Sequence, residues 1–296
     1  MTAVEFPAHA KVNLLLRVLA REDDGYHGLE TIFALLDLHD TLVVERTDSR
    51  EVALTVEGAD TGPFIHNTVF KAATMVLDAV GQPFGLRLHL IKRIPVRAGL
   101  GGGSSDGAAA LLAVNQLAGN AVPRHELLQF AARLGSDVAF FVAQAPLALA
   151  WGHGERLLRL PPLPAAPALL LTPSVGVSTA EAYGWVSAAR KQDGRRGALA
   201  LDLDSLSAWG SIGRMAGNDF ESPVFQRVPE IRAAFEALAG TRPLVCRMSG
   251  SGSTLFAIYR SARDRDDARM MLGRKHGQLE AADTLASPPL PPEAVP

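Results

Sequence analysis

The segment Pro95-Val-Arg-Ala-Gly-Leu-Gly-Gly-Gly-Ser-Ser-Asp106 lies between an alternating apolar run, Leu86–Ile91, and a second apolar run, Ala108–Leu117. The first has strand periodicity and the second reads as a helix. A strand that passes through a glycine-rich loop into a helix brings side-chain-free backbone and the unpaired N–H groups of a helix start to one place. That arrangement suits a phosphate group. Two familiar phosphate loops do not fit: a P-loop ends in Gly-Lys-Ser/Thr, absent here, and the dinucleotide fingerprint needs a third glycine where Ser104 stands. A ligand-free turn is the bland alternative, yet Gly99, Gly101, Gly102 and Gly103, closed by Ser104 and Ser105, cost chain entropy that a plain turn has no need of. A serine nucleophile is the other alternative, since Gly103-Ser-Ser105-Asp-Gly107 fits G-x-S-x-G with Asp137 and His153 in hydrolase order. The strand ends by Pro95, however, too far ahead of Ser105 for a nucleophile elbow.

The rest of the chain agrees with a local phosphate site. Its 296 residues, 48% of them hydrophobic, suffice for a large core and two domains. Twenty-nine Lys plus Arg against 31 Asp plus Glu leave a net charge of −2, with no basic excess to hold nucleic acid or an anionic membrane. The lone cysteine, Cys246, offers no internal disulfide and no cysteine-based zinc site, which suits a reducing compartment. The N-terminus lacks the pattern of a secretory signal, and Val138–Trp151, the most apolar stretch, is broken by Gln144 and Pro146. A soluble, cytoplasmic protein is expected.

The periodicities predict strands at Lys11–Val18 and Ala168–Leu171, a hairpin of Thr41–Arg46 with Glu51–Glu57, and further strands at Leu244–Met248 and Thr254–Tyr259. Helices are predicted over Asn67–Val80, Pro123–Leu134, Ser178–Arg190 and Pro229–Leu238, the third opened by the capping box Ser178-Thr-Ala-Glu181. Lys191–Gly197 reads as a loop. Prolines 161, 162, 164 and 167 mark a boundary, so residues 1–160 and 161–285 are expected to form two domains. Residues 286–296, with five prolines, read as a disordered tail. Mixed elements in both halves argue for an α+β fold.

Two charged residues interrupt apolar segments. Lys11 begins the strand in Ala8-His-Ala-Lys-Val-Asn13, and Asp137 sits in Gly135-Ser-Asp-Val-Ala-Phe-Phe141. Asp137 either caps a helix starting at Val138 or takes a proton from a substrate hydroxyl, with a lysine keeping it ionised. Sequence spacing leaves both open.

Three separated motifs together resemble the GHMP kinase superfamily: Pro7-Ala-His-Ala-Lys-Val-Asn-Leu14, the segment 95–106, and Arg247-Met-Ser-Gly-Ser-Gly-Ser-Thr254. Asp24-Gly-Tyr-His27, Asn67-Thr-Val-Phe-Lys-Ala-Ala73, Leu134-Gly-Ser-Asp-Val138, Gly176-Val-Ser-Thr-Ala-Glu-Ala-Tyr183 and Asn218-Asp-Phe-Glu221 extend the match. They resemble the branch that phosphorylates the 2-hydroxyl of cytidine diphosphate methylerythritol in the non-mevalonate isoprenoid route. The resemblance implies a two-domain fold with the active site in the inter-domain cleft, a left-handed β-α-β crossover in the first domain, and ATP with Mg²⁺ as cofactors. It implies Asp137 as general base with Lys11 as its partner. Asn67, Lys71, Pro95, Val96, Arg97, Ala98, Gly99, Leu100, Gly101, Gly102, Gly103, Ser104 and Ser105 would bind ATP. Asn13, Tyr26, His27, Phe33, Thr179, Tyr183, Ser249, Gly250 and Ser251 would meet the substrate, with rings stacking on cytosine. No Mg²⁺ ligand is legible, and neither nucleic acid, membrane nor an obligate protein partner is expected. His9, Arg97 and Gly107 depart from the family pattern; a glycine at 107 weakens a helix by up to about 1 kcal/mol.

Overall fold

The computed structural model describes residues 3–21, 27–192, 202–289 and 293–295. The first half contains β1 (Ala3–Arg21), β2 (His27–Thr47), β3 (Val52–Glu57), α1 (Thr68–Ala79), β4 (Gly85–Ile91), α2 (Gly102–Leu117), α3 (Arg124–Leu134), α4 (Val138–Ala143), β5 (Leu147–Gly152) and β6 (Arg156–Arg159). The second contains β7 (Pro167–Thr172), α5 (Thr179–Gln192), α6 (Trp209–Met215), β8 (Gly217–Asn218), α7 (Glu221–Arg227), α8 (Pro229–Ala239), β9 (Val245–Met248), β10 (Leu255–Ile258), α9 (Ala262–Leu272), β11 (Gln278–Asp283) and β12 (Glu293–Val295). Two sheets result, one in the order β12-β1-β2-β4-β3 with β5, β6 and β8 attached, the other in the order β11-β7-β10-β9. Among the described residues no helix is long and apolar enough to cross a membrane.

Two expectations change. β2 and β3 do not form a hairpin: β4 lies between them, antiparallel to β2 and parallel to β3. The parallel pair needs a crossover, and α1 supplies it. Central placement suits β4, whose Leu86, Leu88 and Leu90 are fully buried. At the other end, Glu293–Val295 pairs with Ala3–Glu5, where a disordered tail was expected. These three residues are the proline-free run between Pro292 and Pro296, so their N–H groups are available to a ladder. Of the expected loop at 191–197, Lys191 and Gln192 belong to α5, and the remainder lies outside the described residues.

β1 positions the site through a break in its register. Val4, Phe6 and Ala8 face the core shared with α1 and α2, whereas Ala10, Val12 and Leu14 face the core between the two sheets. The pairing with β2 shifts between His9 and Lys11. A bulge of this kind exchanges the faces of a strand. It turns Lys11 and Asn13 toward the side of the first sheet where the glycine loop lies.

Gly107 packs against α1 rather than being a tolerated weakness of α2. A Cβ there would lie 2.5 Å from Thr68 Cγ2. Gly107→Ala, which in an open helix would add up to about 1 kcal/mol of stability, is therefore expected to remove about 1–3 kcal/mol by overpacking. Urea unfolding of the two proteins reads the sign directly.

Candidate active site

Gly99 and Gly101 have φ values of +80° and +74°, left-handed backbone that favours glycine. They turn the chain so that α2 starts at Gly102. Pro95 through Ser104 line an open cleft of about 750 Å³ together with Thr61, His66 and Asn67. Ser105 sits behind it, buried, with its N–H bonded to the Gly101 carbonyl. Asn67 caps α1 by accepting the Val69 N–H at 2.9 Å. Lys71, one turn further along α1, is exposed and does not line the cleft. Arg97 is exposed, has φ +58° and lines the cleft.

A second pocket, of about 240 Å³, opens on the other side of the same loop. Gly99 and Gly101 line both, and they are the residues the two pockets share. Lys11, Asn13, Phe33 and Asp137 line the second pocket from the first half of the chain, and Thr179, Tyr183, Gly250 and Ser251 from the second half. Ser249 lies fully buried beneath, its hydroxyl donating to the Gly99 carbonyl at 2.8 Å.

Lys11 is buried, and its ammonium donates to Asn13 Oδ1 at 2.7 Å and to the Gly99 carbonyl at 3.0 Å. Asp137 Oδ2 lies 3.5 Å away. Burial lowers the Lys11 pKa from its ordinary value, with Asp137 opposing the shift. Asp137 precedes α4 in the N-cap position, yet its side chain makes no capping bond and its backbone is already helical, with φ −86° and ψ −14°. The capping alternative therefore does not account for this carboxylate; its structural partner is Lys11. Burial, with Asp137 adding to it, pushes the Tyr183 hydroxyl up to about 12, so it remains a donor.

The phenylalanine and tyrosines differ in what they present. Phe33 belongs to the core, stacked on Phe140 at 4.7 Å, and its other neighbour is the Lys11 ammonium. Tyr183 packs edge-on against Phe220 at 5.0 Å. Tyr26 lies outside the described residues, and of His27 only the backbone, which opens β2, lies within them.

One supporting residue, Thr31, belonged to no motif in the sequence. Thr31 donates to the Leu15 carbonyl at 2.7 Å, so its one proton is engaged and it accepts from Asn13 Nδ2. That fixes Asn13 Oδ1 toward Lys11 and the Gly250 N–H. Asn218 clamps the far loop, donating to the Met248 and Gly250 carbonyls. Its motif entered only through the family resemblance, and its use as a loop clamp depends on partners 30 and 32 residues away.

The description "GHMP kinases N terminal domain" matches residues 67–145, and "GHMP kinases C terminal" matches residues 198–278. A 4-diphosphocytidyl-2-C-methyl-D-erythritol kinase of Pelobacter propionicus is 38% identical over 288 residues, 96% of this chain and 100% of its own. The protein belongs to the 4-diphosphocytidyl-2-C-methyl-D-erythritol kinase family. A member from Solibacter usitatus is 40% identical over 86% of this chain and 80% of its own. A crystal structure titled as the same kinase superposes with a TM-score of 0.80 at 36% identity, covering 95% of this chain and 98% of that one. A homoserine kinase from Cytophaga hutchinsonii, with TM-score 0.73 and 21% identity over 100% of this chain and 98% of its own, shares the fold. The α+β, two-domain GHMP kinase architecture expected from the sequence is thus the one observed, and membership of this kinase family makes the chain an ATP-using phosphotransferase.

Proposed function

We propose that the protein transfers the γ-phosphoryl group of ATP to the 2-hydroxyl of 4-(cytidine 5'-diphospho)-2-C-methyl-D-erythritol, in the non-mevalonate route to isoprenoid precursors. The names of the relatives carry the substrate. The observation that supports the transfer is the pair of pockets meeting at Gly99 and Gly101, with Lys11 and Asp137 on one side only.

In this reading the open cleft takes ATP and the glycine loop meets its phosphates through backbone N–H groups at the start of α2. Asn67 and Arg97 stand at the nucleotide side. Asp137 accepts the proton of the 2-hydroxyl as its oxygen bonds to the γ-phosphorus and the bond to the β-phosphate oxygen breaks, releasing ADP. The Lys11 ammonium is the ion partner of Asp137, 3.5 Å away, and is placed to meet the incoming phosphoryl charge. Phosphoryl transfer gains chiefly from positioning and charge neutralisation, which a site with one base and one buried cation can supply.

Mg²⁺ has no ready protein cage: the described residues hold no group of three metal-ligating side chains. Phosphate oxygens of the nucleotide and water would hold it, and it would supply neutralisation of the phosphate charge beside the glycine loop. Tyr183, with Tyr26 and His27, is assigned to the cytosine, Phe33 to the floor under Lys11, and Thr179, Ser249, Gly250 and Ser251 to the substrate side. Residues 1–160 serve as the ATP-side domain and 161–285 as the substrate-side domain, in a cytoplasmic enzyme with no obligate protein partner.

The acceptor is tested by ADP release with three alcohols. The cytidine diphosphate methylerythritol is expected to support turnover at least ~100-fold above homoserine or mevalonate, because those acceptors leave the polar groups that would bind the cytidine unpaired. Comparable rates with either small acceptor would overturn the substrate assignment and leave the kinase fold unaffected.

A further inference from the structure

Among the described residues, the buried aspartates and lysine that phosphoryl transfer leaves unused gather at the foot of the glycine loop. Lys92, just after β4, donates to Asp106 Oδ2 at 2.7 Å and also to Asp40 Oδ2. Asp40 Oδ1 in turn accepts the backbone N–H groups of Arg93 and Ile94. All three side chains are at most 5% exposed. One ammonium therefore joins the strand side of the loop, through Asp40, to the helix side, through Asp106 in α2. Lys92 also lies against the loop itself, 3.2 Å from where a Cβ of Gly102 would stand.

The charges in this cluster do not balance. Two carboxylates share one lysine, and Asp106 Oδ1 is buried with no hydrogen-bond partner, the sole side-chain atom in that state among the described residues. A buried anionic oxygen without a donor is costly, and a proton on it relieves the cost. The charged groups acting on Asp106 are Lys92 at the end of β4 and Asp40 on β2. α1, packed against the same helix, presents the neutral Thr68 at Gly107. Burial pushes Asp106 up, Lys92 opposes it and Asp40 adds to it, leaving the group at about 7. Lys92 is held above its ordinary value by its two acids, despite burial.

Lys92 and Asp106 also line the cleft assigned to ATP. We propose that Asp106 is a positioning residue of the glycine loop that takes up a proton, on its unpaired Oδ1, when a nucleoside triphosphate binds. The inference rests on reading that cleft as the nucleotide site. A bound triphosphate adds like charge beside Asp106, which favours its neutral form. Proton uptake and nucleotide binding then reinforce each other, by the same free energy in either direction. Affinity is greatest below the Asp106 pKa of the free protein, and it falls as the pH rises through about 7.

Calorimetric titration of the full-length protein with β,γ-imido ATP and Mg²⁺, in buffers of different ionisation enthalpy, tests this. At pH 7.5 the wild type is expected to take up a larger fraction of a proton per nucleotide than Asp106→Asn, which corrects for the nucleotide's own titration. Its Kd is expected to weaken relative to that of the variant as the pH rises from 7 to 8.5, by up to ~10-fold per pH unit. Asp40→Asn gives a second reading if the first variant folds poorly. It keeps an oxygen for the Arg93 and Ile94 N–H groups, removes the acid that pushes Asp106 up, and is expected to move the dependence to lower pH. Equal proton counts and parallel Kd profiles in wild type and Asp106→Asn, or an unmoved profile in Asp40→Asn, would overturn the proposal while leaving the nucleotide cleft standing. No saturable binding to the wild type would overturn the nucleotide assignment itself.

Discussion

Asp137→Asn is expected to lower turnover by ~10²–10⁴-fold, the usual contribution of a positioned general base, while the protein stays folded. The substitution preserves shape. It also spares α4, because the Asp137 side chain makes no capping hydrogen bond to that helix. What it removes is the proton acceptor and the ion partner of Lys11, 3.5 Å away. The ammonium keeps its bonds to Asn13 and to the Gly99 carbonyl, so the loop that joins the two pockets is still held. Michaelis constants are therefore expected to move little and kcat to fall. Steady-state ADP release, with a circular dichroism melt as the folding control, separates the two. Turnover near wild type would show that the hydroxyl loses its proton elsewhere.

Gly99→Ala is expected to be the second severe change, by another route. Gly99 has φ +80°, and a Cβ built on it would stand 2.2 Å from the Ser249 carbonyl oxygen and 3.2 Å from that of Gly252. Both obstacles are backbone, so a side-chain rotation cannot relieve them. Forcing the loops apart breaks the place where Lys11 and Ser249 both donate to the Gly99 carbonyl. A left-handed alanine alone costs about 1–2 kcal/mol, and displacement of a phosphate-positioning loop by about 1 Å is enough to lose ~100-fold in rate. Lower thermal stability, a raised KM for ATP and lower kcat are expected together. Gly103 supplies the contrast: nothing lies within 4 Å of its added Cβ and it is helical. Gly103→Ala is expected to leave the protein at least as stable, with a gain of up to about 1 kcal/mol from helix propensity. Equal damage at both positions would mean that the close approach to Ser249 is unimportant.

The parts legible in the sequence are those encoded by local chemistry. The glycine loop, the helix over α1, the capping box before α5 and the strands on either side of 249–253 all depend on neighbours within a few residues. The resemblance of separated motifs implied that Lys11 and Asp137 act as a pair, and the structure places them 3.5 Å apart. What escaped depends on long-range pairing. The strand β4 enters between β2 and β3 because α1 carries the chain across, and no alternation in 41–57 reveals an intruder. Lys92, in Ile-Lys-Arg-Ile-Pro, looks like a solvated charge until Asp40 and Asp106 close on it from 52 and 14 residues away. Thr31 orients Asn13 across two strands whose register shifts on either side of it. The bulge near His9 has no local signature, yet it alone turns Lys11 to the loop.

A crystal structure of the ternary complex with β,γ-imido ATP and the cytidine diphosphate methylerythritol tests the central claim, that the glycine loop joins a nucleotide cleft to an acceptor pocket served by Asp137. The expected result has the γ-phosphate against Gly99 and Gly101, and the 2-hydroxyl within hydrogen-bond reach of an Asp137 oxygen, about 2.6–3.2 Å or through one water. A γ-phosphate held away from those two glycines, or a 2-hydroxyl beyond the reach of Asp137 in the closed complex, would contradict it.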